Sequence, residues 1–123
     1  MNQVCIRAFA DPVQISECKS TLEELDNSLT SLTKIFNLAG NGVRLKIIFL
    51  LYREKKMCPC DLSDVLGISV GGISQHLRKL KDGGLIRDNK VGQTVFYSLI
   101  DERLGLIKSA LDNLLEMNKE TIS

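Results

Sequence analysis

The chain has 123 residues, 44% hydrophobic and 25% charged, which is one domain's worth of ordinary globular sequence. Its formal charge of +1 is unevenly laid out: residues 1–30 sum to −3 and residues 69–94 to +3, which suits either one face that meets nucleic acid or a solvated charged face. The longest apolar run, residues 47–52, is too short to span a bilayer, and the opening residues lack a basic-then-apolar leader. A membrane protein, a secreted disulfide scaffold and a fibrous protein therefore fit poorly, and the cytoplasm is the expected compartment.

Asp11-Pro12 can open a short helix, with Asp11 as cap and Pro12 in the first helical position. Ser20 and Glu23 have capping-box spacing ahead of Leu22, Leu25, Leu29, Leu32 and Phe36, a narrow stripe of steps 3, 4, 3 and 4. Gly40-Asn41-Gly42 then breaks the chain, and residues 43–53 read as a helix apolar nearly all round, hence buried. Cys58-Pro59-Cys60-Asp61 begins a short helix ending at Gly67. Ser69 caps the next, whose inner face is Ile73, Leu77 and Leu80, and Gly83-Gly84 stops it.

After Gly84 the period changes. Residues 85–88 and 94–99 are rich in β-branched and aromatic residues, and residues 89–93 between them carry turn formers. A helix-turn-helix followed by a hairpin makes a winged helix, a mainly α fold with a β-hairpin wing. The last helix follows Asp101 as cap and repeats the narrow stripe at Leu104, Ile107, Leu111 and Leu114. Two such stripes, Leu22, Leu25 and Leu29 on the first helix and these four on the last, can form a homodimer interface. They can equally pack on their own core. The expected organisation is a cysteine-bearing extension over 1–19, a winged-helix DNA-binding and dimerisation domain over 20–118, and a tail over 119–123.

The helix over 70–82 is the candidate reader of DNA. With Ile73, Leu77 and Leu80 inward, Ser69, Val70, Gly71, Ser74, Gln75 and Arg78 lie toward the opposite face. Gln suits adenine, Arg guanine and Val a thymine methyl. Arg78, Lys79 and the wing residues Lys90 and Gln93 suit the backbone, which sets affinity and salt dependence. The single histidine, His76, reads as a hydrogen-bonded packing residue. Gly71-Gly72 is a weak helix start that could also admit a phosphate closely.

The run Cys58-Pro59-Cys60-Asp61-Leu62-Ser63-Asp64-Val65-Leu66-Gly67-Ile68-Ser69, continued by Ile73-Ser74-Gln75-His76-Leu77-Arg78-Lys79-Leu80, resembles the ArsR/SmtB metal-sensing repressors. The likeness covers roughly residues 30–115 and is nearest the CadC (cadmium/lead) and ArsR (arsenic) types. It implies a repressor of operator DNA that acts as a homodimer and is released by a metal effector, with no membrane partner and no enzymatic activity. The family's other metal site needs histidines on the last helix. Here Asp101 is followed by Arg103 and no histidine lies beyond His76, so Asp101 and Glu116 read as a cap and a solvated carboxylate.

Four cysteines, Cys5, Cys18, Cys58 and Cys60, suit metal or redox chemistry in a reducing compartment. Cys58 and Cys60 flank Pro59 at a helix start, where the positive end of the dipole favours thiolate. Cd(II), Pb(II), Hg(II) and As(III) prefer three or four sulfur ligands, so Cys5, and less surely Cys18, must join the pair. The resemblance implies that Cys5 comes from the partner subunit. Two further readings stay open: a repressor of the same fold released by disulfide formation, and a thiol oxidoreductase, for which the usual Cys-x-x-Cys spacing is missing.

Overall fold

The computed structural model describes residues 4–122 and divides into two units, residues 1–33 and 34–123. The first holds α1 (Pro12–Glu24) and the opening turns of α2 (Asp26–Ala39). Asp11 is extended and its Oδ1 accepts from the Gln14 N–H at 2.9 Å, with Pro12 at the helix start as expected. Ser20, expected to cap a new helix, instead lies inside α1. No Gly or Pro interrupts residues 13–24, so the helix nucleated at Asp11 propagates through it. The break comes at Leu25, where Asp26-Asn27-Ser28 supplies polar helix-start residues. The leucine stripe is thereby shared between two helices, and Leu22, Leu25 and Leu29 are all exposed.

In the second unit, the end of α2 is followed by α3 (Gly42–Glu54), α4 (Pro59–Leu66), α5 (Val70–Asp82), β1 (Ile86–Val91), β2 (Thr94–Leu99) and α6 (Gly105–Ile122). Asn41 caps α3, its Oδ1 accepting from Val43 N–H at 3.0 Å and Arg44 N–H at 3.1 Å. Arg44 reaches back to the end of α2, donating from Nε to Leu38 O at 2.7 Å. A cation thereby meets the carbonyls that α2 leaves unsatisfied. Gly83 passes so close to Leu38 that a Cβ there would sit 2.2 Å from Leu38 Cδ1. That contact explains one of the two glycines ending α5.

The core is the meeting point of these elements. Ile47, Ile48 and Leu51 of α3, Leu62 of α4, and Ile73, Leu77 and Leu80 of α5 are buried together with Leu85, Ile86 and Leu99. Each such side chain contributes roughly 1.5–3 kcal/mol of transfer free energy. Leu104 and helix α6 close the cluster, and most of the last stripe takes the second of the two packings open to it. Leu104, Ile107 and Leu111 are 1%, 7% and 1% exposed, so they pack into the core of their own chain. Of that stripe only Leu114, 46% exposed, remains at the surface. Asp101 does not cap α6 either. It opens a 3-10 turn, Asp101–Arg103, and its carbonyl accepts from Leu104 N–H at 3.1 Å.

The hairpin is tighter than its composition suggests. Residues 89–91, expected in the turn, continue β1, and β1 and β2 pair antiparallel from Ile86 with Leu99 to Val91 with Thr94. Only Gly92-Gln93 remains as loop, with Gly92 at φ 65°, the geometry a two-residue hairpin demands of its first position. No single helix among the described residues is long and apolar enough to cross a membrane.

Candidate nucleic-acid interface and cysteine pair

Helix α4, the turn and α5 are locked by short-range chemistry. Gly67 takes the left-handed conformation, φ 68°, that ends α4, and its N–H donates to Ser63 O at 2.9 Å. The Ser63 hydroxyl donates onward to Ile68 O, tying the turn back to the helix. Ser69 then caps α5, its Oγ accepting from Gly72 N–H at 3.1 Å. With this angle fixed and Leu62, Ile73, Leu77 and Leu80 buried, α5 has a single outward face.

That face is the expected one. Ser69, Val70, Gly71, Ser74, Gln75, Arg78 and Lys79 are all exposed on it, and Lys90 and Gln93 are exposed at the tip of the wing. Among the described residues, Arg78, Lys79 and Lys90 enter no ion pair with a carboxylate, so their charges are uncommitted. Lys81 behaves differently. Its Nζ donates to Asp88 Oδ2 at 2.8 Å, strapping the last turn of α5 to the wing. The hydrogen bond holds the Asp88 carboxyl below its ordinary range and raises the Lys81 ammonium. Nothing in residue types or spacing signals this strap, because it depends on how the hairpin folds back over α5.

His76 departs from expectation. It is half-buried within α5, and among the described residues its buried Nδ1 has no hydrogen-bond partner. Burial, reinforced by the charges of Arg44 and Lys79, pushes its pKa down and favours the neutral ring.

The cysteines divide between the two units. Cys58 is the N-cap of α4, extended (φ −91°, ψ 161°) and half-buried, and its sulfur makes no capping hydrogen bond. Pro59 holds the first helical position, and Cys60 follows it, exposed. Cys18 lies on α1 and Cys5 before it, both exposed, and all four thiols are free. Among the described residues no three His, Cys, Asp or Glu side chains form a group able to hold a metal ion. The Cys58–Cys60 pair has the soft donors a thiophilic ion prefers, but a third sulfur must be added to complete a shell.

Residues 41–88, which span α3 to the first half of β1, match the model of the bacterial regulatory protein, arsR family. An arsenic resistance transcriptional regulator of Pseudomonas putida is 30% identical over 89 residues, covering 72% of this chain and 70% of that protein. The cadmium resistance transcriptional regulatory protein CadC of Listeria innocua is 30% identical over 96 residues, covering 78% and 79%. Among solved structures, reduced HlyU from Vibrio cholerae superposes with a TM-score of 0.67 at 29% identity, covering 78% of this chain and 97% of that one.

Proposed function

The chain belongs to the ArsR family of bacterial regulatory proteins, DNA-binding transcriptional regulators rather than enzymes, and from that premise we propose a repressor that leaves its operator when a thiophilic ion binds Cys58 and Cys60. The observation that carries this reading is the position of the pair. Both cysteines stand at the start of α4, the helix that sets the angle of α5, and neither sulfur is engaged in a cap or a disulfide. Two relatives are named as regulators of arsenic and cadmium resistance, and soft ions of that kind are what thiolates select. Cd(II) and Pb(II) rank first as effectors, with Hg(II) next and As(III) third.

Cys5 of a second subunit supplies the third sulfur, and Cys18 is the candidate for a fourth. The working unit is a homodimer with one winged helix per half-site. Its exposed apolar surface includes Leu22, Leu25 and Leu29 in the first unit and Leu114 on α6. Gln75 reads a base edge, while Arg78, Lys79 and Lys90 hold phosphates. Linkage requires that DNA weaken ion binding by the factor by which the ion weakens DNA binding.

The test pairs thiolate-to-metal charge-transfer absorption with fluorescence anisotropy on DNA from the chain's own promoter. Cys58→Ser and Cys60→Ser should each keep apo DNA binding near wild type and abolish release by Cd(II), Pb(II) or Hg(II). Cys5→Ser should weaken the response, and Cys18→Ser should change it least. Unaltered release in both Cys58→Ser and Cys60→Ser would refute the reading.

One observation favours a second reading. The similar HlyU structure is described in its reduced form, and four free thiols here permit the same chemistry. Peroxide in the presence of chelator separates the two. Release by oxidant alone, with no response to any soft ion, assigns the switch to a disulfide.

A further inference from the structure

Met57, one residue before Cys58, is hydrogen-bonded to the wing in both directions. Its N–H donates to Tyr97 O at 3.1 Å, and Tyr97 N–H donates to Met57 O at 2.9 Å, an isolated antiparallel bridge outside the hairpin ladder. On the other side of β2, Tyr97 stands opposite Asp88 of β1, and Asp88 is the residue that holds Lys81 of α5. A continuous row thus runs from Cys58 through Met57, Tyr97 and Asp88 to Lys81. It begins at a candidate effector ligand and ends in the last turn of the reading helix.

Any displacement of the Cys58 backbone has two places to go. On its C-terminal side the Cys58 carbonyl accepts from Leu62 N–H at 3.1 Å, and Leu62 is fully buried, so α4 resists. On its N-terminal side stands one bridge of two hydrogen bonds, each worth about 0.5–1.5 kcal/mol net. Lys56 supports it, its ammonium 5.0 Å from the centre of the Phe96 ring. The preceding residue, Lys55, turns the chain at φ 77°. The bridge is the weaker side, and because it lies outside the β1–β2 ladder its two hydrogen bonds can open without breaking a ladder pair.

We propose that the Met57–Tyr97 bridge is the element through which occupancy of Cys58 resets the wing and the C-terminal end of α5, making Met57, Asp88 and Lys81 positioning residues for DNA binding. The proposal rests on the reading of Cys58 as an effector ligand. An ion held by Cys58 would pull on the backbone beside the bridge, and opening of the bridge would let Tyr97 shift against Asp88 and move the strap to Lys81. The test reads the bridge as well as the DNA, because coupling is shown by a two-state element that both ends bias.

Met57→Pro deletes the N–H of the bridge and keeps all four cysteines and every DNA-facing residue. Asp88→Asn weakens the far end of the row without touching the backbone, and guards against a folding defect in the first variant. Cd(II) loading is followed by thiolate absorption, release by anisotropy on promoter DNA, and the bridge by hydrogen exchange at the Tyr97 amide. In wild type, loading should lower Tyr97 protection. Both variants should load Cd(II) as wild type does, yet the ratio of DNA Kd with and without Cd(II) should fall about tenfold in Met57→Pro and severalfold in Asp88→Asn. Full release in both variants, or Tyr97 protection indifferent to loading, would overturn the proposal. Absence of a thiolate band in wild type would instead refute the effector reading. A chain keeping only Cys58, alkylated with iodoacetamide, then decides the bridge alone: Tyr97 protection must drop, and unchanged protection overturns it.

Discussion

Two adjacent glycines open the reading helix, and the structure makes them unequal. A Cβ at Gly71 would meet nothing within 4 Å, whereas one at Gly72 would lie 3.0 Å from Ile68 Cγ2 and 3.3 Å from Ser69 Oγ. Gly71→Ala should therefore gain the helix-propensity difference, about 0.5–1 kcal/mol this close to the helix start. In a chain of this size that raises the melting temperature by roughly 2–5 °C. Gly72→Ala has the same propensity gain but presses on the hydroxyl that caps α5, and a cap is worth about 1 kcal/mol. Its net effect should be zero or negative. Gly71 also lies on the exposed face of α5 proposed to meet DNA, so if its missing Cβ admits a phosphate, the Ala variant should be more stable yet bind promoter DNA more weakly. Thermal unfolding by circular dichroism in chelator, with anisotropy on the same samples, measures both. Equal stabilisation by the two substitutions would refute the distinction, and stabilisation without weakened binding would refute the close approach at Gly71.

Substitution within the α6 stripe should separate folding from assembly: Leu111→Glu puts a charge in the core and should abolish cooperative unfolding, whereas Leu114→Glu should fold and shift sedimentation toward monomer. Arg78→Ala and Lys90→Ala should each lower the slope of log Kd against log salt by about one unit, while Gln75→Ala should leave the slope and relax sequence preference. The Lys81–Asp88 strap has a defined pH window. Because the folded pKa of Asp88 is lowered, its contribution is present above the ordinary carboxylate value, about 4, and is lost as pH falls through the lower folded value. Because that of Lys81 is raised, the same contribution is complete below about 10.5 and is lost as pH rises through the higher folded value. The melting-temperature difference between wild type and Asp88→Asn should be flat between those limits and shrink beyond both. A difference peaking near neutrality would contradict the pairing.

What could be read from the sequence, and what could not, follows from the range of the interactions. Helix α5 and its orientation were legible because their determinants are local: Ser69 caps it, and Ile73, Leu77 and Leu80 turn one face inward and leave the other exposed. The start of α4 was legible for the same reason, since Cys58, Pro59 and Cys60 are consecutive and Gly67 ends the helix. Where two local signals competed, composition gave no ranking. The cap at Asp11 overrode the one at Ser20, and residues 89–91, turn-like in type, were drawn into strand pairing. The stripe over residues 104–114 shows a different limit. Periodicity says that Leu104, Ile107, Leu111 and Leu114 share a face but not what the face meets, and here three of the four meet their own core. The links between wing and helix lie further out of reach. Met57 and Tyr97 are 40 residues apart in sequence and pair through backbone atoms, which no side-chain pattern encodes. The proposed effector site meets the same limit: Cys58 and Cys60 are placed by one helix, but any third sulfur must come from outside it, and no local pattern around α4 names which cysteine that is.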